Sequence, residues 1–356
     1  MKILVINPGS TSTKVAIYED ERELFVENIP IKLEELKKYK TIYDQLDMRY
    51  WQVVTFLEKH GFSESNIDVI VSRGGMLPPV HSGAYVIDDK LVETLRYHPS
   101  SLHASNLGAL IAHKIAKPGN IPAYIYDSVA VDELSEIAHL SGIKGRNRKS
   151  YSHVLNTRAV ARRYCMEKNL DYTESTLIVV HLGGGISVNI QKGGKVIDVV
   201  TAEEGPFSPE RAGGLQVLIC IDICNEEGIE KLQKYESGAG GFVSYLGTND
   251  ARKVESLVVK GDPEAKIVYQ ALAYQVAKAI GALATVEKGK IDAILLTGGI
   301  AYSKILTDWI KEYVQYIAPV STYPGEFEMQ ALALGALRVM RKEEVARQIE
   351  EDFDFE

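Results

Sequence analysis

The sequence predicts an α/β fold built as two duplicated halves. Three features carry that prediction: short β-rich runs alternate with longer segments at helical spacing, a nine-residue segment recurs without gaps, and the elements around it return in the same order. The strands read as residues 2–6, 14–18, 67–71, 121–126, 176–181, 186–191, 195–200 and 291–296, each bounded by turn-forming residues. A helix starts at Asp262-Pro263-Glu264, where Asp caps the first turn and Pro suits its first position. Val268, Leu272, Val276, Ala279, Ile280 and Leu283 then share one face. A second helix is expected over 327–349, with Leu332, Leu334, Leu337, Val339 and Met340 as its apolar stripe, and the acidic residues 350–356 read as a solvated end.

The recurring segment is Ile67-Asp68-Val69-Ile70-Val71-Ser72-Arg73-Gly74-Gly75, which aligns on Ile291-Asp292-Ala293-Ile294-Leu295-Leu296-Thr297-Gly298-Gly299 with five identities in nine. Ahead of each copy lies a weaker pair. Ile3-Leu4-Val5-Ile6-Asn7-Pro8-Gly9 resembles Leu177-Ile178-Val179-Val180-His181-Leu182-Gly183, and each leads into a further strand. Two matches in one order indicate duplicated domains, and a cleft between such halves is a usual place for a ligand.

At 356 residues the length suits two domains, and 46% hydrophobic with 25% charged residues is ordinary for a folded chain. Lys and Arg number 40 against 48 Asp and Glu, a net charge of -8, which disfavours nucleic acid or anionic lipid as the main partner. The three cysteines, 165, 220 and 224, show no disulfide pattern and are expected as reduced thiols acting as small buried apolar residues. The apolar run at 3–6 is too short for a signal peptide, and no run of about 18 uncharged apolar residues is apparent. The expectation is a cytoplasmic protein off the membrane.

A β-turn-β element tipped with Gly and hydroxyl residues aims N–H and OH groups one way, which suits phosphate oxygens. The first copy, Asn7-Pro8-Gly9-Ser10-Thr11-Ser12-Thr13-Lys14, adds an amide for a metal-bound water and a lysine for phosphate. The second, His181-Leu182-Gly183-Gly184-Gly185-Ile186-Ser187, is nearly bare, so a polyphosphate can approach its backbone. Either turn alone reads as a hairpin; the pair, with Gly298-Gly299, points to phosphate binding. No G-x-x-x-x-G-K-[ST] P-loop occurs.

Leu4-Val5-Ile6-Asn7-x-Gly9-Ser10-Thr11-Ser12-x-Lys14 resembles the N-terminal motif of the acetate/butyrate kinase (acetokinase) family, part of the sugar kinase, heat-shock ATPase and actin superfamily. Similar matches follow along the chain: Arg73-Gly74-Gly75, Leu102-His103-x-Ser105-Asn106-Leu107, Tyr126-Asp127-Ser128, Glu204-Gly205 with Arg211-Ala212-Gly213, Leu296-Thr297-Gly298-Gly299-Ile300, and Gly325-Glu326. Tyr323-Pro324-Gly325-Glu326, Arg148-Lys149-Ser150 with His153, and His103-Ala104-Ser105-Asn106 look like the butyrate kinase branch. The resemblance implies two actin-like ATPase (ribonuclease H-like) domains, 1–131 plus 328–356 and 132–327, with an interdomain active-site cleft. It implies ATP and Mg²⁺, a short-chain fatty acid acceptor, an acyl phosphate product and a homo-oligomer.

Roles follow from the resemblance joined to chemistry. A carboxylate acceptor is ionised at pH 7 and needs no general base, so Asp127 is expected to orient an arginine or a magnesium water. Arg73 and Arg211 match the family's two site arginines and suit a carboxylate or a transferring phosphoryl group. Asn7 and Glu326 are expected at Mg²⁺, with Glu328 as the carboxylate if the register shifts. Ser10, Thr11, Ser12, Lys14, His181, Gly183, Gly184, Gly185, Gly298, Gly299 and Ile300 are expected at the nucleotide. The family's catalytic histidine is replaced by Lys149, with His153 retained four residues on; Lys149 is expected to supply the charge, with a solvated basic loop as the other reading. Gly75 and Ala202 stand where acetate kinases carry larger residues and, with Leu102, are expected to line a roomier acyl pocket.

Overall fold

The computed structural model describes residues 1–352 and divides into two compact units, one holding 1–132 with the chain from Phe327 onward, the other Glu133–Glu326. Each unit is built on one sheet.

In unit one, β1 (Lys2–Pro8) pairs antiparallel with β2 (Ser12–Glu19), and β2 with β3 (Arg22–Pro30). On its other side β1 runs parallel to β4 (Val69–Arg73); the sheet is completed by β5 (Ala84–Val86) and β6 (Ala123–Tyr126), in the order β3-β2-β1-β4-β6-β5. Helices α1 (Leu46–Lys59) and α2 (Asn106–Gly119) belong to this unit. Residues 3–6 of β1 and 69–71 of β4 are wholly buried, because a parallel centre covered on both faces needs continuous apolar runs rather than alternation.

In unit two, α3 (Val154–Lys168) precedes β7 (Thr176–Leu182), β8 (Ile186–Lys192) and β9 (Lys195–Val200), which form an antiparallel meander. After α4 (Val217–Glu226) and α5 (Pro263–Ala284) come β10 (Ala293–Gly298) and β11 (Val320–Pro324), giving the order β11-β10-β7-β8-β9. The duplication is visible in this order. Read β7 for β1, β8 for β2, β9 for β3, β10 for β4 and β11 for β6, and both sheets have one topology and one set of strand directions. The chain returns to unit one as α6 (Glu328–Met340), whose residues pack on β1, β4 and β6.

Several expectations are corrected here. The second helix ends at Met340 instead of 349, where Lys342 takes a left-handed φ of 62°. The acidic tail is not simply solvated. Asp352 has a side chain only 5% exposed and accepts hydrogen bonds from the His81 N–H and the Tyr85 hydroxyl; residues 353–356 lie outside the described residues. Helix α5 is long and apolar enough by composition to cross a membrane, although Glu264, Lys266 and Lys278 interrupt its apolar run. Its Val268, Leu272, Val276 and Ile280 instead sit in the core with Ile178, Val188 and Leu296. Its first turn is capped as expected, Asp262 accepting the Ala265 N–H at 2.9 Å. Cys165 is buried, but Cys220 and Cys224 are only half-buried on α4, a helix with no buried residue that exposes Val217, Leu218 and Ile221.

Candidate active site

In unit one the predicted residues gather at the carboxyl ends of three adjacent parallel strands, β1, β4 and β6, the edge where open α/β sheets bind ligands. Asn7 is the penultimate residue of β1, Arg73 closes β4 and Asp127 follows β6. The carboxylate between the first two is Glu328, in the first turn of α6. Asn7 Nδ2 donates to its Oε2 at 2.8 Å, and Arg73 Nη1 lies 3.5 Å from the same oxygen. The family resemblance points to Glu326, with Glu328 as the fallback; Glu328 is the residue beside Asn7 and Arg73, and Glu326 falls in unit two. A carboxylate at a helix N-terminus is favoured by the helix dipole and remains an oxygen donor.

Asp127 is buried with φ 42°, an uncommon conformation for a residue other than glycine. Its Oδ1 accepts the Gly83 N–H at 2.9 Å while its own N–H donates to the Gly83 carbonyl at 3.0 Å. The next residue, Ser128, donates to the Gly75 carbonyl at 2.8 Å, tying this loop to the one after Arg73. The β1–β2 turn is closed by Gly9 N–H to Ser12 O at 2.8 Å; Ser10 and Thr11 are exposed at its tip, Ser12 is half-buried, and the half-buried Lys14 stands opposite Asn7 in the ladder.

Gly75 does not enlarge a pocket. Its φ is 69°, and a β-carbon there would lie 2.9 Å from both Asn106 Cα and Leu95 Cδ2, so glycine serves the fold and not acceptor size. Leu102 is 67% exposed.

In unit two the same edge, beyond β7, β10 and β11, carries the second set. His181 on β7 is buried, and its ring stacks on that of His153, with centroids 3.8 Å apart and planes within 6°. His153 Nδ1 is 2.8 Å from Ser187 Oγ, and Asn156 Nδ2 donates to His181 Nδ1 at 2.9 Å. An acceptor at Nδ1 places the neutral ring's proton on Nε2, which faces Gly183: a β-carbon on Gly183 would be 2.7 Å away. A β-carbon on Gly185 would lie 3.5 Å from Arg211 Nε, 3.6 Å from His153 Cε1 and 3.7 Å from Ala202 Cβ. The structure therefore brings His153, His181, Ala202 and Arg211 around the bare turn 183–185. Ser208 Oγ secures that turn through the Gly184 carbonyl at 2.6 Å. Arg211 Nη1 is 3.4 Å from Glu203, and its buried Nε has no hydrogen-bond partner among the described residues.

Gly298, with φ 92°, passes so close to β7 that a β-carbon would lie 2.3 Å from the Leu182 carbonyl oxygen. Its backbone pairs both ways with Gly325, which sets Glu326 beside Gly299 and Ile300. A pocket of about 490 Å³, lined by Phe207, Ile223, Tyr235 and other residues, includes none of the predicted positions. Another of about 660 Å³ is lined by Gly183, Gly184, Gly299, Ile300 and Glu326 together with Asp250, Arg252 and Tyr302, and its size suits a nucleotide.

The basic loop divides. Arg148 pairs with Asp198 and Glu204, each at 2.9 Å, and bonding to Glu204 raises its pKa above the usual value, so its charge is spent within unit two. Lys149 is exposed and makes no hydrogen bond or ion pair among the described residues. Asn156 and Ser208 carry no signal in the sequence, since each acts by contacting a residue distant along the chain, and Ser187 reads there only as the end of the glycine turn. No group of three or more His, Cys, Asp or Glu able to hold a metal occurs among the described residues. A hard divalent ion would thus rely on the oxygens of Asn7 and Glu328, with phosphates and waters completing its shell, a donor set that fits Mg²⁺.

Comparison with known proteins gives a family match and a fold. The sequence model described as the acetokinase family matches residues 136–312. An acetate kinase from Porphyromonas gingivalis is 19% identical, with a TM-score of 0.78 over 96% of this chain and 100% of that one. An acetate kinase from Entamoeba histolytica (18% identical, TM-score 0.77) and a propionate kinase from Francisella tularensis subsp. tularensis (18%, 0.74) each match over 94% of this chain and 98% of theirs. The fold is that of the actin-like ATPases.

Proposed function

Because the chain belongs to the acetokinase family of carboxylate-directed kinases, we propose that it phosphorylates butyrate or a similar short or branched-chain fatty acid. In the forward direction a carboxylate oxygen attacks the γ-phosphorus of ATP in line, the bond to the β-phosphate oxygen breaks, and ADP and an acyl phosphate leave. The reaction is reversible.

The observation that supports a carboxylate acceptor is the guanidinium at the end of β4, where half-buried Arg73 beside Glu328 suits an ionised acid. Asp127, whose Oδ1 is bound to the Gly83 N–H, is read as an orienting residue rather than a proton-abstracting base. A hydroxyl acceptor would need such a base; an ionised acid does not. Arg73 and Arg211 offset the repulsion between two anions. The pocket at Gly183, Gly184 and Gly299 suits the nucleotide, and His181 Nε2 faces its glycine turn. Asn7 and Glu328 would hold Mg²⁺, which when bound neutralises charge on the phosphate oxygens. Ala202, small and buried beside Gly185, supports an acyl chain longer than acetate, as do the motifs shared with the butyrate branch. We place the protein in the cytoplasm.

A panel of two- to six-carbon acids tests the acceptor. kcat/KM should peak at four carbons, with neighbours within about 10–200-fold because each methylene is worth only ~1–3 kcal/mol. A maximum at acetate or propionate would overturn the butyrate reading.

Lys149 remains our choice for the charge that replaces the family's histidine. Lys149→Ala should lower kcat about tenfold, or ~1.4 kcal/mol, with KM for ATP little changed; an unchanged kcat assigns it to a solvated loop. The exposed apolar residues of α4 fit a self-associating surface. Sedimentation should report an oligomer that Ile221→Asp weakens, and a monomeric parent chain would refute this.

A further inference from the structure

Arg49 is the largest fully buried side chain of the described residues, at 0% exposure on α1, and nothing in the sequence marked it. Its guanidinium makes five contacts: Nε with Gln45 Oε1 at 3.1 Å, Nη1 with the Ser12 carbonyl at 3.0 Å and Thr13 Oγ1 at 3.2 Å, Nη2 with the Ser10 carbonyl at 3.3 Å and Gln45 Oε1 at 3.0 Å. Every acceptor is neutral. A buried cation is ordinarily matched by a carboxylate, and removing one from water without a counter-ion is unfavourable by several kcal/mol. Burial pushes its pKa down to about 10, so it stays charged at pH 7.

Its partners are the backbone of the β1–β2 turn. Arg49 draws the Ser10 and Ser12 carbonyls inward, and the Thr11 carbonyl accepts the Ile31 N–H at 2.8 Å. In a trans peptide the C=O and the following N–H point opposite ways, so turning the Ser10 carbonyl inward turns the Thr11 N–H outward. Ser10 and Thr11 stand exposed at the tip, so the Thr11 N–H is presented outward. A positive charge lies beneath the turn and the exposed tip with its outward N–H lies on the far side.

We propose that Arg49 is a positioning residue that presets the β1–β2 turn and leaves its charge unneutralised, so that the turn binds the phosphoryl group being transferred. This rests on the kinase reading for the identity of the anion, but not for the site itself. Arg49 acts through the turn without touching the ligand.

Gln45→Glu tests it. The substitution keeps shape and both acceptor contacts but gives Arg49 a counter-ion, so a purely structural Arg49 would be as well held as before, or better. Arg49→Lys keeps the charge with fewer bonds. Hydrogen exchange of backbone segment 9–13 is followed with and without sodium tripolyphosphate at fixed ionic strength. Tripolyphosphate should slow exchange at least threefold in the parent and in Arg49→Lys, but not in Gln45→Glu, which should melt no lower than the parent. In the same proteins Gln45→Glu should lower kcat about tenfold with KM for ATP within twofold. Equal protection in Gln45→Glu and parent, or none in the parent, would overturn the proposal. If no acid yields acyl phosphate yet Gln45→Glu abolishes protection, the kinase reading fails and the role of Arg49 stands; acyl phosphate formation with undiminished protection sinks Arg49 alone.

Discussion

Arg73→Ala lowers kcat by about 10²–10³-fold, or ~3–4 kcal/mol, while the protein stays folded. Arg73 closes β4 and is half-buried against Glu328, with no part in the core packing of its strand. Its removal should leave the melting temperature nearly unchanged and be felt where charge concentrates, between an ionised acid and a transferring phosphoryl group. The loss belongs mainly in kcat, because the interaction strengthens as the two anions approach. Arg73→Lys should recover only part of the rate, since an ammonium cannot span two oxygens as a planar guanidinium does. Steady-state kinetics beside thermal melts checks this, and a tenfold or smaller loss in Arg73→Ala would remove Arg73 from the reaction.

The second large effect separates two carboxylates. Glu328→Gln should raise the Mg²⁺ concentration for half-maximal rate at least tenfold and lower kcat about 10²-fold, because it deletes the only anionic oxygen donor recorded beside Asn7 among the described residues. The same substitution also frees Arg73 of its ion pair, so KM for the acid should stay level or fall, which general damage to the site would not produce. Glu326→Gln, in the lining of the unit-two pocket, should change the Mg²⁺ requirement less than threefold. Magnesium titrations of both variants decide the matter; greater sensitivity at Glu326 would return the metal to the position chosen from sequence.

What could be read from sequence was what repeats or packs locally. The strands that became β1, β2, β4, β6, β7, β8, β9 and β10 carry continuous or alternating apolar residues, and the pairing of β1 with β7 and β4 with β10 survived in the two sheet orders. The missed strands are edge strands of the two sheets. β3 is mostly exposed, β5 has three residues, and β11 is half-buried throughout. Their pattern therefore lacks the burial that makes a strand legible. At the site, strand-end residues were legible because a motif fixes them to their own backbone. Glu328 and Glu326 could not be separated, since two residues along an irregular turn decide which unit a side chain joins. Gly75 was misread because sequence shows a missing side chain but not where it would have pointed. Arg49 was invisible for a related reason: an arginine within an amphipathic helix reads as solvated until a turn 36 to 39 residues away closes over it.

The central claim is that phosphoryl transfer ends on a carboxylate. With ATP and Mg²⁺ supplied, ADP should accumulate only when a short-chain acid is added, and hydroxylamine should trap an acyl hydroxamate in equal amount. ADP formation that is independent of acid, or that needs a sugar and gives no hydroxamate with any acid, would contradict the account.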